Sequence, residues 1–215
     1  LQDLSIMTKK EQKHIYDFVE HFSKVTVRIS NYNESGEMVG RASGFLYQPS
    51  DRQIPIIITA GHKLLNVNSS FIETRVKKEG QTLIINTGKL NIFYNNNDVD
   101  YAFCELPADL YKKDIEAYKD VEFIAYKHQF IKAKENEAYG FAVINDYAEF
   151  VRNNTDDGYI LPSYYCYEVY LELEKQEEHL NYFKLARPFQ GHEFYEGASG
   201  APIADPEGAI TSILI

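Results

Sequence analysis

The chain has 215 residues, 44% of them hydrophobic, and a net charge of -10, which is enough apolar material for one large core or two small ones. With no Lys/Arg run longer than two, the acidic balance excludes nucleic acid and anionic membrane surfaces as natural partners. No stretch approaches the ~20 apolar residues of a membrane-spanning helix.

Cys104 and Cys166 lie far apart in sequence. They make neither a disulfide framework nor a CxxC metal motif, and they read as two reduced, buried thiols. The chain begins at Leu1, as an excised piece of a longer protein would. Two cysteines and a pI near 5.1 favour a cytoplasmic setting.

The first segment, residues 1–23, predicts a helix. Thr8 and Glu11 have capping-box spacing, and Ile15, Phe18, Val19 and Phe22 follow on one face. His14 and His21 on this helix have no partner ligands in sequence and read as surface residues. From Lys24 the texture changes to strands. Val25, Val27 and Ile29 alternate with polar residues, a turn follows over 31–36, and further strands are expected at 44–47, 54–59, 71–76, 83–86, 90–94 and 101–106. So many short strands over 24–110 suggest a small antiparallel barrel. Residues 111–120 read as a charged connector. A second barrel follows over 121–215, with strands at 121–126, 138–144, 167–174, 181–185, 201–204 and 209–215 and an exposed loop at 145–163. The fold class is therefore all-β, with an N-terminal α-helix. The abundant tyrosines, such as Tyr164, Tyr165, Tyr167 and Tyr170, suit half-buried strand positions.

Three local patterns carry chemistry. Thr59-Ala60-Gly61-His62 ends the apolar strand Ile56-Ile57-Ile58, where a rigid scaffold can hold an imidazole. Asp98-Val99-Asp100-Tyr101-Ala102-Phe103 puts an acid immediately before a strand. Gly197-Ala198-Ser199-Gly200-Ala201-Pro202 puts a serine between glycines, whose permissive dihedrals let backbone N–H groups converge. Alone, each is commonplace: a core histidine, a turn aspartate, a glycine turn. Together, in the order His, Asp, Ser, they form the constellation of a nucleophilic triad.

These motifs resemble those of the trypsin-like serine peptidases of the chymotrypsin superfamily, in their bacterial Deg/HtrA flavour. Ala42-Ser43-Gly44-Phe45 resembles the family's Gly-Ser-Gly-Phe strand, Thr59-Ala60-Gly61-His62 its Thr-Ala-Ala-His, Asp100-Tyr101-Ala102 its Asp-x-Ala, and Gly197 to Pro202 its Gly-Asp-Ser-Gly-Gly-Pro. The resemblance covers Val25 to Ile215. It implies two six-stranded antiparallel barrels with a catalytic cleft between them. It implies Ser199 as nucleophile, His62 as general base, Asp100 as the residue orienting His62, and the N–H groups of Gly197 and Ser199 as the oxyanion hole. Asp98 competes for the acid role, and Asp100 is preferred because Tyr-Ala follows it. No metal or organic cofactor is implied. The substrate would be a protein or peptide, with other domains of a longer parent chain as further partners.

Two departures matter. Ala198 stands where many members carry Asp, so the ion pair that orders the oxyanion loop in zymogen-activated relatives cannot form. The segment 209–215 is the last strand in the sequence, so the second barrel reads as truncated. For specificity, Glu193 lies where basic-specific members keep a carboxylate. Thr211 and Ile213 lie on the strand that would pair with substrate, and no histidine there points to acidic specificity. The chief rival to a serine endopeptidase is a silent protease-fold module that holds a peptide or partner. A metal hydrolase finds no HExxH motif in the sequence.

Overall fold

The computed structural model describes residues 24–75, 82–107, 122–144, 165–185, 188, 191 and 195–215. The expected N-terminal helix, the connector at 111–120, the loop at 145–163 and Glu193 lie outside the described residues. Among the described residues the chain is built on two curled antiparallel sheets, the double-barrel architecture expected from the sequence, divided seven strands to five rather than six to six.

The first sheet takes β1 (Thr26–Tyr32), β2 (Met38–Tyr47), β3 (Ile56–Ala60), β4 (Ser69–Arg75), β5 (Thr82–Gly88), β6 (Asn91–Asn96) and β7 (Tyr101–Glu105). Its spatial order is β5-β4-β1-β2-β3-β7-β6. The central strands are buried on both faces, which explains why β3 reads as an unbroken apolar run. Ile57 points into the first core with Val27, Ile29, Leu46, Ile72 and Cys104. Ile56 and Ile58 point the other way, into a second cluster with Phe45, Tyr126, Ala204 and Ile210. Because that cluster draws residues from both sheets, it is the seam that sets one sheet against the other. The alternation read along β1 holds, but its polar side is also buried: Arg28 sits opposite Glu73 of β4, with 3.8 Å between their charged groups.

The second sheet takes β8 (Ala138–Ile144), β9 (Tyr165–Glu177), β10 (Leu180–Leu185), β11 (Pro202–Ala204) and β12 (Ile210–Ile213), in the order β10-β9-β8-β11-β12. Its core gathers Tyr139, Phe141, Val143, Leu171, Ala198 and Ile203. β12 pairs with β11 on one side and lies at the sheet's edge.

Two expectations are corrected. Residues 122–126 do not form a strand. Tyr126 locks onto the first sheet there, its N–H donating to Leu46 O at 2.8 Å and its carbonyl accepting from Gln48 N–H at 2.8 Å. The aromatic and apolar residues that suggested a strand pack instead as a strap, Phe123 and Ala125 against the first core and Ile124 and Tyr126 in the seam, with Tyr126 stacked on Phe130 at 5.9 Å. Asn31, read as the start of a loop, is a strand residue and buried. Cys104 is a buried free thiol, as expected.

Candidate functional site

His62 sits in a single 3-10 turn, Gly61–Leu64, that leaves the end of β3. The turn is anchored twice at its C-terminal end. Leu64 is buried in the first core, and the Asn31 side chain donates from β1 to the carbonyl of Lys63 at 2.7 Å. Asn31 is itself held by Ser70, whose hydroxyl donates to it at 2.8 Å. The glycine at position 61 has a steric reason. A Cβ there would lie 2.5 Å from Asn95 Oδ1, so any larger residue would make the exposed Asn95 side chain swing aside.

Asp100 closes a tight turn between β6 and β7. The Asn96 side chain shapes it by accepting from the N–H groups of Asp98 at 3.0 Å and Val99 at 3.3 Å. Asp100 then adopts φ +53, a left-handed conformation that Asp and Asn tolerate better than most residues. In that pose Asp100 grips the histidine turn three times. Its carbonyl accepts from Gly61 N–H at 3.0 Å. Its Oδ1 accepts from His62 N–H at 2.7 Å. Its Oδ2 is hydrogen-bonded to His62 Nδ1. The bond at Nδ1 leaves Nε2 as the ring nitrogen open to chemistry. Among the described residues Asp98, the competing acid, has no hydrogen bond or ion pair to His62, whose partner is Asp100.

Ser199 belongs to the loop joining Tyr195 to β11. The loop is pinned on three sides. Ala198 is buried in the second core, 3% exposed. Gly200 N–H donates to Leu214 O at 2.6 Å and Ala198 N–H to Tyr195 O at 3.0 Å. The third side is the first sheet: Ser43 N–H donates to Ser199 O at 2.8 Å, and Ser43 Oγ donates to Gly197 O at 2.7 Å. Gly200, at φ +92, lies flat against that sheet. A Cβ on it would fall 2.0 Å from Ser43 O and 2.9 Å from Ala60 N. This close approach brings Ser199 to the end of β3, two residues before His62. No hydrogen bond joins Ser199 Oγ to the His62 ring in this structure, whereas the His62–Asp100 pair is in direct contact.

The N–H groups of Ala198, Gly200 and Ala201 all have backbone acceptors. Those of Gly197 and Ser199 have none among the described residues. Two unclaimed donors beside a serine are what an oxyanion hole requires. Gly197 holds φ +81, which a glycine adopts without strain.

Ser199 opens onto a cleft of ≈ 900 Å³ that runs between the sheets. Thr211 and Ile213 of β12 line it, as do Phe45, Phe130 and Tyr195. Val99 and Tyr101, the neighbours of Asp100 on either side, line it too. Among the described residues no three His, Cys, Asp or Glu side chains gather as a metal site would need.

Ser43 and Asn31 are the residues whose part in the site sequence reading missed. Ser43 stands within Ala42-Ser43-Gly44-Phe45, but nothing local says that its hydroxyl reaches a carbonyl 154 positions away. The only available signal was a polar residue in the middle of a buried strand.

No family model matches the chain, and no curated protein is similar to it in sequence. Solved structures are similar in fold. Deg5 matches with a TM-score of 0.59 and 14% identity over 96% of this chain and 86% of its own. A serine endoprotease from Yersinia pestis matches with a TM-score of 0.56 and 11% identity, over 92% of this chain and 56% of its own. The active form of the Rv3671c protease from M. tuberculosis matches with a TM-score of 0.52 and 11% identity, over 91% of this chain and 71% of its own.

Proposed function

We propose that this chain, whose fold is that of a trypsin-like serine protease domain, is a serine endopeptidase with His62, Asp100 and Ser199 as its triad. The observation that carries this reading is the double grip of Asp100 on His62, one carboxylate oxygen on the backbone N–H and the other on the ring. A structural aspartate at a strand entry has no need to hold both the backbone and the ring of a half-exposed histidine. A catalytic one does, because it must fix the tautomer and stabilise the imidazolium.

In this mechanism Ser199 Oγ attacks the scissile carbonyl while its proton passes to His62 Nε2. The carbonyl π electrons move to oxygen, and the N–H groups of Gly197 and Ser199 stabilise the oxyanion, at ~3–4 kcal/mol per donor. Collapse of the tetrahedral species breaks the C–N bond, and His62 gives its proton to the leaving amine. Water then attacks the acyl-enzyme with His62 again as base, releasing the acid and restoring Ser199. The approach of Ser199 to His62 closes into a hydrogen bond as substrate binds, since catalytic bonds are commonly long before the complex forms. The substrate is a protein or peptide, seated in the cleft along β12. We extend the reading to a protease domain of a larger regulated protein.

The test is labelling with a fluorophosphonate probe, mapped by mass spectrometry, beside Ser199→Ala and His62→Ala. The expected result is an adduct on Ser199 that both substitutions abolish. A second reading, a silent module that binds a peptide or partner, is favoured by one feature: Ser199 and His62 are not hydrogen-bonded. A folded protein that takes no label and still binds peptide leaves two readings: that silent module, or a regulated protease awaiting its trigger.

A further inference from the structure

Ala198 removes the carboxylate that could order the oxyanion loop through an ion pair, yet the loop is held in place. We propose that the side chain of Ser43 is a positioning residue that latches this loop in its working conformation. The inference rests on the serine-protease reading of the site and adds to it the device that keeps the oxyanion hole open.

Ser43 sits in the middle of β2, 2% exposed, and uses three groups at once. Its hydroxyl donates to Gly197 O at 2.7 Å and its N–H to Ser199 O at 2.8 Å. Its own carbonyl accepts from the buried Thr59 hydroxyl at 2.6 Å, which holds the latch to β3. Peptide groups are rigid planes, so a bonded carbonyl fixes the plane it belongs to. Ser43 thus fixes the planes that begin at Gly197 and at Ser199. The plane between Ala198 and Ser199 is fixed by Ala201 N–H, which donates to Ala198 O at 2.9 Å. Being trans, that plane turns Ser199 N–H away from Ala201. With these carbonyls held, the donors left over are Gly197 N–H and Ser199 N–H, the pair the mechanism uses. If the Ser43 hydroxyl is lost, the Gly197 carbonyl is left part-buried without a donor. That peptide plane is then held only by Ala198 N–H on Tyr195 O at 3.0 Å, at a glycine whose tolerance of most dihedrals lets the carbonyl turn away once that single bond opens.

The experiment compares the full chain with Ser43→Ala and Ser43→Cys. Alanine keeps the backbone bond to Ser199 and deletes only the hydroxyl. Cysteine refills the space but donates weakly, so it separates hydrogen bonding from packing. Two measurements are made: amide hydrogen exchange across the chain, and fluorophosphonate inactivation resolved into Ki and kinact. The latch predicts that exchange over residues 196–201 rises at least about tenfold in both variants, with β1 to β3 unchanged. It also predicts that kinact falls roughly 10- to 100-fold in both, with Ki little changed. Unchanged exchange at 196–201 in Ser43→Ala overturns the proposal. So does a Ser43→Cys protein that behaves like the parent, or exchange that rises equally everywhere, since either makes Ser43 a packing residue. If the parent chain takes no label, the protease reading fails while the exchange result still decides whether the latch exists.

Discussion

His62 and Asp100 are held by their own sheet: the turn, the strand entry and the side chains that bond them all lie between Asn31 and Asp100. Ser199 is held from outside, by β2 and β3 of the other sheet and by the end of β12. One half of the site is a local construction, complete once seven strands have paired. The other half exists only where two sheets meet. A defect in the turn between β6 and β7 therefore removes the His62–Asp100 pair alone, whereas a defect in the docking seam leaves that pair standing and misplaces Ser199.

Several substitutions test this division. The largest effect is expected from Ser199→Ala, which should lower peptide hydrolysis about 10⁶-fold without altering thermal unfolding, read from turnover beside a melting curve. Asp100→Asn should cost about 10⁴-fold in kcat. Asparagine tolerates the φ of +53 at this site and keeps a side-chain oxygen, so the urea midpoint should hardly move and the loss should reflect the carboxylate charge. Gly200→Ala attacks the seam. The added carbon meets Ser43 O at 2.0 Å at a backbone φ of +92, and strain with overpacking should cost about 3 kcal/mol. Urea unfolding would measure it. Labelling of Ser199 should fall, while the environment of the His62 ring, followed by NMR, should stay as in the parent. A Gly200→Ala protein in which His62 also changes would break the comparison.

The smallest effect concerns Cys104, inside the first core, whose thiol burial pushes up to about 12. In the unfolded chain this thiol ionises near its ordinary value of about 8.5. Ionisation therefore favours the unfolded state as pH rises between those values. The contribution is nil below about pH 8 and grows to ~1.4 kcal/mol per pH unit above it. Cys104→Ala should lose that slope, measured by urea unfolding at a series of alkaline pH values. Alkylation of Cys104 at pH 8 should proceed only through unfolding.

The same division governs what the sequence shows. The strand alternation of β1 and the apolar run of β3 announce themselves, because period and composition are local. The three site motifs do too, since each residue's setting is a few neighbours long. The 3-10 turn under His62 was not legible, nor were the buried role of Asn31, the strap at 122–126 or the Ser43 contact. Each depends on a partner brought close by folding, and a hydroxyl in a strand looks the same whether it faces a carbonyl or water. Thr211 and Ile213 were placed by analogy with a strand that pairs with substrate, and they line the cleft beside Ser199. Glu193 lies outside the described residues.

The 154 positions between Ser43 and Gly197 have a consequence for when the protein can act. A ribosome delivers the chain N-terminus first, and domains generally fold as units during synthesis. The first sheet is complete at Glu105, so the histidine and its aspartate can be in place while the serine has not been translated. Closing the seam pairs residues far apart in sequence, which is slow, and Ser199 enters it together with the strands that follow, which supply Ala204 and Ile210. On the proposed mechanism, a nascent chain built this way carries its base before its nucleophile, and the site is complete only when β11 and β12 dock.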